Sequence, residues 1–218
     1  MSKKRHTLRN RFSKGGVINL ERMFPEKVGV NYSNLKMTPE GEYSITKRGD
    51  SKKIIEKMKE LIGSLKKKHI TDLTGNVGGD TISFAIHFGF TDSIEIDNDN
   101  FDALNNNVKV FKLKNVRLHH GDSTSIFNWK TDVLYLDPPW GGPDYKDKEN
   151  LDLFLGKQRI DIYLKEVLSK DWRPTYIFMK LPRNYNFDRL LELPNLVGAH
   201  KFPIRGFFLV GLKIKTEL

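Results

Sequence analysis

The sequence predicts an α/β domain built on a mostly parallel sheet, and three observations lead there. Short apolar runs alternate with amphipathic stretches from Asp50 onward, a glycine-rich turn follows the first such run, and successive runs end on an acid. Strand, helix, strand, helix in that order gives a sheet covered on both faces, with ligand sites at the carboxyl ends of its strands.

The chain has 218 residues and a mass of 25.3 kDa, enough for one sizeable domain with its own core. Residues 1–49 are polar, basic and turn-rich, with Gly15-Gly16, Pro25, Gly29, Pro39 and Gly41 among scattered aromatics at Phe12, Phe24, Tyr32 and Tyr43. They read as a basic arm lying on a domain of residues 50–218. Behind an N-cap at Asp50, Ile54, Ile55, Met58, Leu61, Ile62 and Leu65 recur at helical spacing, with Lys66 to Lys68 at the negative end of the helix dipole. HITD is the first strand, and a helix follows its glycine turn; the strand DSIEID, a helix over DNDNFDALNNNVKVFKL and the strand VRLHH come next. DVLYLD, a helix over 151–169 and the strand YIFMK continue the alternation. NLVGAH and GFFLVGLKI flank a polar segment at Pro203 to Gly206 and form a terminal antiparallel pair.

Composition narrows the class of protein. The sequence contains no run of about 18 apolar residues, and MSKKRHTLRNRF lacks the apolar block of a secretory signal, so an intracellular protein inserted in no membrane is expected. With no cysteine there is neither a disulfide nor thiolate chemistry. Lys and Arg number 37 against 27 Asp and Glu, a formal charge of +10 with a pI near 9.6. Such a surface attracts nucleic acid, or simply keeps a lysine-rich protein soluble; charge alone does not choose.

The motifs carry more. TDLTGNVGGDT sets Gly75, Gly78 and Gly79 where a strand turns into a helix, so backbone approaches a ligand that a Cβ would exclude. Such turns serve dinucleotides, S-adenosylmethionine and tight packing alike; neither a G-x-G-x-x-G fingerprint nor a Walker A loop fits. Asp72, ending its strand beside the turn, either caps it or pairs with a ligand ammonium. Asp97, at the end of SIEID, accepts two ribose hydroxyls or caps the next helix. Asp122, after VRLHHG, stands where a carboxylate accepts from an adenine amine. Three acids at successive strand ends, with a glycine turn after the first, favour an adenosyl ligand over coincidence.

A fourth strand ends at Asp137, so four strand tips meet above one crevice walled by LYLDPPWGGPDY. Pro138 and Pro139 fix φ and remove two donors, holding a backbone carbonyl outward. That carbonyl and the Asp137 carboxylate accept both hydrogens of an exocyclic amine, which lets the nitrogen pyramidalise and point its lone pair at an electrophilic methyl. Trp140, on so stiff a loop, offers a flat face to a base, whereas a core tryptophan belongs inside a strand or helix.

DLTGNVGGDTISFA, SIEIDND, HHGDS, DPPWGGPDY and LPRN, in this order, resemble the trimethylguanosine synthases, the RNA cap guanine-N2 methyltransferases, from about Glu40 to Asn184. The resemblance implies a Rossmann-like class I methyltransferase with a seven-stranded sheet. Its expected reaction carries methyl from S-adenosylmethionine to the N2 amine of a 7-methylguanosine cap, without metal, with capped RNA as partner to a monomer. Asp72, Gly75, Asn76, Gly78, Asp97, Asp122 and Asp137 are then the cofactor residues, and Asp137, Pro138 and Trp140 the catalytic ones. The resemblance adds Trp140 stacked on the methylated guanine, Tyr145 and Arg183 near the cap phosphates, and Ser44 and Thr46 of EGEYSIT in the substrate and cofactor pockets. A cationic N7-methylguanine on an indole gains about 1 to 2 kcal/mol over the neutral base. Asn76 departs from the family's glycine and Asp137 from its frequent serine, and the phosphate-binding lysine falls to Lys27, Lys36 or Lys47. The competing readings are an adenine-N6 methyltransferase of DNA or RNA, and a catalytically silent domain that binds caps or other RNA.

Overall fold

The computed structural model describes residues 18–215; residues 1–17 and 216–218, including the arm's Phe12 and Gly15-Gly16, lie outside the described residues. Helices α1 (Leu20–Met23) and α2 (Pro39–Ser44), with a 3-10 turn at Tyr32–Asn34 between them, precede the long helix α3 (Arg48–Ile62). Then β1 (His69–Asp72), α4 (Gly79–His87), β2 (Phe90–Glu95), α5 (Asn98–Val110), β3 (Val116–His120), α6 (Ser123–Ile126) and β4 (Val133–Leu136) alternate. A small hairpin of β5 (Phe154–Leu155) and β6 (Gln158–Arg159) leads into α7 (Ile160–Leu168). The chain continues through β7 (Tyr176–Pro182), α8 (Asp188–Leu191), β8 (Leu196–Ile204) and β9 (Phe207–Ile214).

Seven strands form one sheet in the order β3-β2-β1-β4-β7-β9-β8. The first five are parallel and β9 is antiparallel to both its neighbours. Strand order reverses between β1 and β4, the place where an open parallel sheet leaves a crevice for ligands.

Several boundaries differ from expectation. α3 starts at Arg48 behind Lys47, which makes no side-chain cap, while Asp50 sits in the first turn and still complements the dipole. Gly63, at φ 85°, ends the helix, so Lys66 to Lys68 lie beyond its last turn. The helix expected over 151–169 begins only at Ile160. Before it, Leu151 bridges to Tyr185, Leu153 and Leu155 are buried, and Gly156 at φ 58° turns the hairpin. The apolar residues there pin a loop to the core, which mimics helical spacing. The segment around Pro203 belongs to β8, an edge strand where a missing N–H removes no central ladder bond.

Helix α3 lays Ile54, Ile55 and Met58 on Ile70, Tyr135, Phe178 and Leu209 of one sheet face. On the other face Leu134, Leu136, Ile177 and Met179 meet Leu164 and Leu168 of α7. All four residues of β4 are buried, as a strand covered on both sides requires. The segment before α3 joins through Phe24, Leu35 and Ile45, which cluster with Val77, Ile82, Leu104 and Phe111. Phe24 is fully buried, its ring centroid 6.3 Å from that of Phe111. Among the described residues no helix is long and apolar enough to cross a membrane.

Phe24→Ala should lower stability by about 3 to 5 kcal/mol, the usual cost of a phenylalanine cavity. Urea unfolding reads it as a lower midpoint at constant slope; a loss below about 1 kcal/mol would place this segment outside the cooperative core.

Candidate active site

The glycine turn passes β2 closer than a side chain permits. Gly75 N–H donates to Ile94 O at 2.8 Å, and a Cβ on Gly75 would lie 2.5 Å from Ser93 Oγ. Asn76 takes φ 46°, in the left-handed region that asparagine tolerates. Its Oδ1 accepts from Val77 N–H at 2.7 Å and its Nδ2 donates to Ser44 Oγ at 3.1 Å. Gly78, at φ 98°, opens α4, and a Cβ there would meet Leu104 at 2.8 Å. Packing against Leu104 accounts for a glycine at 78, while Gly75, Asn76 and Gly79 line a small cavity beside the turn.

The acids at the strand tips have divided roles. Asp72 is fully buried: Oδ1 accepts from Thr74 N–H at 3.0 Å and Oδ2 from the Thr81 hydroxyl at 2.7 Å. Burial pushes its pKa up to about 7, against the Thr81 hydrogen bond. It therefore holds the turn from beneath and does not face the crevice, which corrects the expected ammonium contact. Asp97 is exposed and caps α5 by accepting from Asn100 N–H at 2.9 Å. The acid that closes β2 is Glu95, accepting from Asn76 N–H at 2.6 Å and Asp97 N–H at 2.8 Å, and burial raises its pKa. Both acids stand in SIEID, and Glu95 was legible as the last strand position. Asp122 caps α6 through Thr124 N–H at 2.9 Å. It also lines a depression of about 640 Å³ with Ile96, Gly156, Lys157 and Gln158.

The reaction corner is built by strand register. Leu136 pairs with Met179, so Asp137 and Lys180 stand side by side one residue further on. Lys180 Nζ donates to Asp137 Oδ2 at 2.6 Å and to Thr46 Oγ1 at 3.0 Å. The Thr46 hydroxyl donates to Asp80 Oδ2 at 2.7 Å, and Tyr135 OH to the same oxygen at 2.9 Å. Asp80 Oδ1 is buried without a hydrogen-bond partner among the described residues. With Ser44, Thr46, Thr74, Gly75, Asn76 and Asp137 it lines a cavity of about 20 Å³, room for one water-sized group. Burial pushes Asp137 up to about 6 while Lys180 pulls it back, and 19% of its side chain stays open to solvent and moderates the push. Burial raises Asp80 as well. For Lys180, burial lowers the pKa, but the Asp137 and Asp80 charges outweigh it and hold the ammonium charged.

Trp140 is half-buried, neither a core residue nor a free plate. Its ring meets Tyr145 edge to face at 5.1 Å and 72°, and Lys180 Nζ lies 5.5 Å from its centroid. The indole N–H faces the Asp137 carboxylate closely enough to lower its pKa, without completing a well-formed hydrogen bond. Pro138 is buried, Pro139 is exposed, and the Pro138 carbonyl accepts no hydrogen bond among the described residues. Asn184 ties down the loop by donating to Tyr145 O and Lys148 O, each at 2.6 Å. Arg183 is exposed and stacks over Phe208 at 5.6 Å. Of the three candidate lysines, Lys27 is engaged, donating to Phe111 O at the end of α5; Lys36 and Lys47 are exposed. Sequence reasoning missed Asp80 and Lys180: Asp80 closes the glycine-turn motif and Lys180 ends the strand YIFMK, but only the fold brings them to Asp137.

This sheet order, with a glycine turn at the first strand tip and an acid-proline loop at the fourth, is the fold of the class I methyltransferases. The sequence profile of the RNA cap guanine-N2 methyltransferases matches residues 67–205, and the chain belongs to that family. It is 33% identical over 153 residues to an uncharacterized protein of Acanthamoeba polyphaga mimivirus, covering 68% of this chain and 59% of that one. The chain thus spans about three fifths of that relative. It is 25% identical over 181 residues to a trimethylguanosine synthase of Schizosaccharomyces pombe, covering 79% of this chain and 70% of that one. A T. thermophilus 16S rRNA N2 methyltransferase solved with AdoMet and guanosine superposes with a TM-score of 0.60 at 14% identity, over 83% of this chain and 44% of that one. A precorrin-6y C5,15-methyltransferase from Geobacter metallireducens superposes with a TM-score of 0.60 at 10% identity, over 84% and 95%. At such identities the likeness shows the fold alone.

Because Asp72 has a folded pKa near 7 against 3.8 for a free carboxyl, its contribution to stability is fully present below pH 4 and is lost as pH rises through 7. Asp72→Asn should flatten that decline by on the order of 2 to 4 kcal/mol, seen in urea unfolding at pH 4.5 and pH 8. Parallel curves for the two proteins would show that Asp72 ionises freely.

Proposed function

We propose that the protein transfers methyl from S-adenosylmethionine to the N2 amine of a 7-methylguanosine RNA cap. One observation carries the reading: at the tip of β4, Asp137 has one oxygen held by Lys180 and the Pro138 carbonyl accepts no hydrogen bond among the described residues, beside a half-buried indole. Two acceptors on a stiff loop receive the two hydrogens of an exocyclic amine and aim its lone pair.

The residues around the glycine turn fit the cofactor. Asp80 lines a cavity the size of an ammonium group, and its Oδ1 is a buried acceptor without a partner among the described residues; a buried carboxylate oxygen left unpaired is costly. The depression between Ile96 and Asp122 suits an adenosyl group, with Asp122 toward the adenine amine. When bound, the cofactor supplies an electrophilic methyl carbon. Membership of the cap methyltransferase family supports guanine N2 as the acceptor. The exposed part of Trp140 then stacks on the cationic base, and the Lys180 charge behind it is neutralised by Asp137. Tyr145 fixes the indole edge, while Arg183 and the net charge of +10 attract the cap phosphates. On this reading the protein works as an intracellular monomer on capped RNA, residues 1–49 forming an arm on the catalytic domain 50–218.

An acid before Pro-Pro grips an adenine amine equally well, so adenine N6 is the second reading. Mass spectrometry of a 7-methylguanosine cap analogue and of an adenine oligonucleotide, each incubated with protein and cofactor, separates the two. One or two added methyl groups on the cap analogue alone are expected; methylation of the oligonucleotide alone overturns the proposal. Trp140→Ala should weaken 7-methylguanosine diphosphate binding about 10- to 100-fold in a fluorescence titration. Asp80→Asn should weaken S-adenosylhomocysteine about tenfold by calorimetry, the loss of one charge-assisted contact. Equal affinity for the two proteins would place the ammonium elsewhere, and no heat from the wild type would leave a silent binding domain.

A further inference from the structure

We propose that Lys180 is the positioning residue of the reaction corner: it clamps one oxygen of Asp137, aims the other at the incoming amine, and supplies the counter-charge that keeps the carboxylate ionised. The inference deepens the function proposed above and rests on it.

Lys180 lies on β7, only 7% exposed, and its contacts converge on the crevice. It reaches Asp137 Oδ2 at 2.6 Å, Thr46 Oγ1 at 3.0 Å and the face of Trp140 at 5.5 Å. Parallel β4 and β7 are in register up to Leu136 and Met179, so the two charged side chains leave adjacent strand positions and meet without bending either strand. With Oδ2 engaged by Lys180, Asp137 Oδ1 accepts no well-formed hydrogen bond among the described residues. The clamp therefore selects which oxygen meets a substrate amine.

Stability does not explain the pair. A buried ion pair seldom outperforms apolar residues of the same volume, and Phe207 and Trp140 already flank the ammonium at 5.4 and 5.5 Å. The surrounding charges explain it better. Asp80 on α4 and Asp50 on α3 act on Lys180, and Asp80 also acts on Asp137. Tyr135 on β4 and Asp72 on β1 complete the group, each interacting with Asp137 or Asp80. One ammonium thus serves the Asp137 and Asp80 carboxyls together, and removing it leaves that pair without a cation.

The chemistry requires an ionised Asp137. As the nitrogen lone pair forms the N–C bond, the S–C electron pair returns to sulfur, and the nitrogen must shed one proton. That proton leaves along the hydrogen bond to Asp137 and passes to solvent, so the carboxylate must be unprotonated when the amine arrives. A protonated Asp137 has a donor where an acceptor is needed.

The test compares wild type with Lys180→Met and Lys180→Arg in two measurements. One is the pH dependence of kcat/KM on the cap analogue, which reports the free enzyme. The other is a 13C NMR titration of the Asp137 carboxyl without substrate. In wild type the acid limb and the titration should coincide near pH 6. Lys180→Met should move both upward by more than about one unit and cut kcat/KM at pH 7 about tenfold. Lys180→Arg should restore the titration. If the methionine variant does not fold, Lys180→Gln keeps donors for Asp137 and Thr46 without the charge, and the same upward shift is expected. An unchanged Asp137 titration in the folded neutral variants overturns the clamp and leaves Lys180 a packing residue. Because the titration needs no turnover, it judges the clamp even where the cap analogue is not methylated, a result that would instead count against the proposed function.

Discussion

A carboxylate and an ammonium brought together by parallel strand register are the constraint on which this site depends. Asp137 and Lys180 are far apart in sequence, yet β4 and β7 deliver them to one corner at 2.6 Å. Two charges that leave water lose several kcal/mol of hydration each, and a protein retains such a pair when every remaining valence is satisfied. Here Thr46 receives one ammonium proton and passes its own to Asp80, which Tyr135 also serves. Asp80 Oδ1 and the Trp140 indole N–H lack a well-formed partner among the described residues, and an unmatched buried acceptor is where a ligand group would complete the network.

The same network makes the segment before α3 part of the site. Thr46 lies 134 residues from Lys180 in sequence, and Ile45 beside it lies so close to the glycine turn that a Cβ on Gly79 would come within 2.6 Å. Ser44 meets Asn76 across that turn. Burial of Phe24, Leu35 and Ile45 against α4 and α5 therefore positions polar residues as well as adding apolar contact. The energy of that interface is mostly transfer of apolar surface from water; its product is the geometry of Ser44 and Thr46.

Burial sets the electrostatics. Asp72, Asp80 and Asp137 sit within mutual influence beneath the strand tips, and desolvation raises all three. Their environments then separate them. Asp72 is enclosed by Thr74 and Thr81 and acts as a strut for the turn. Asp137 keeps partial solvent access and a cation. Like residues thereby acquire unlike roles, because hydrogen-bond partners and solvent access, more than residue type, decide which carboxyl meets a ligand.

What the sequence determined by itself was local and periodic. Alternating runs gave the parallel sheet and its antiparallel end, because side-chain periodicity encodes which face of each element is buried. The Asp-Pro-Pro-Trp loop was legible because two prolines restrict backbone whatever surrounds them. The limits were equally local: buried leucines of a pinned loop at residues 151–155 resembled a helix, and Asp97 masked Glu95, two residues before it. Tertiary structure alone decided that Asp72 turns inward, that Asp80 offers an unmatched oxygen, and that Lys180 reaches Asp137. Each of those outcomes depends on strand register and on helix-to-sheet packing across long stretches of chain, and hydrogen bonding between distant residues leaves no periodic trace in sequence.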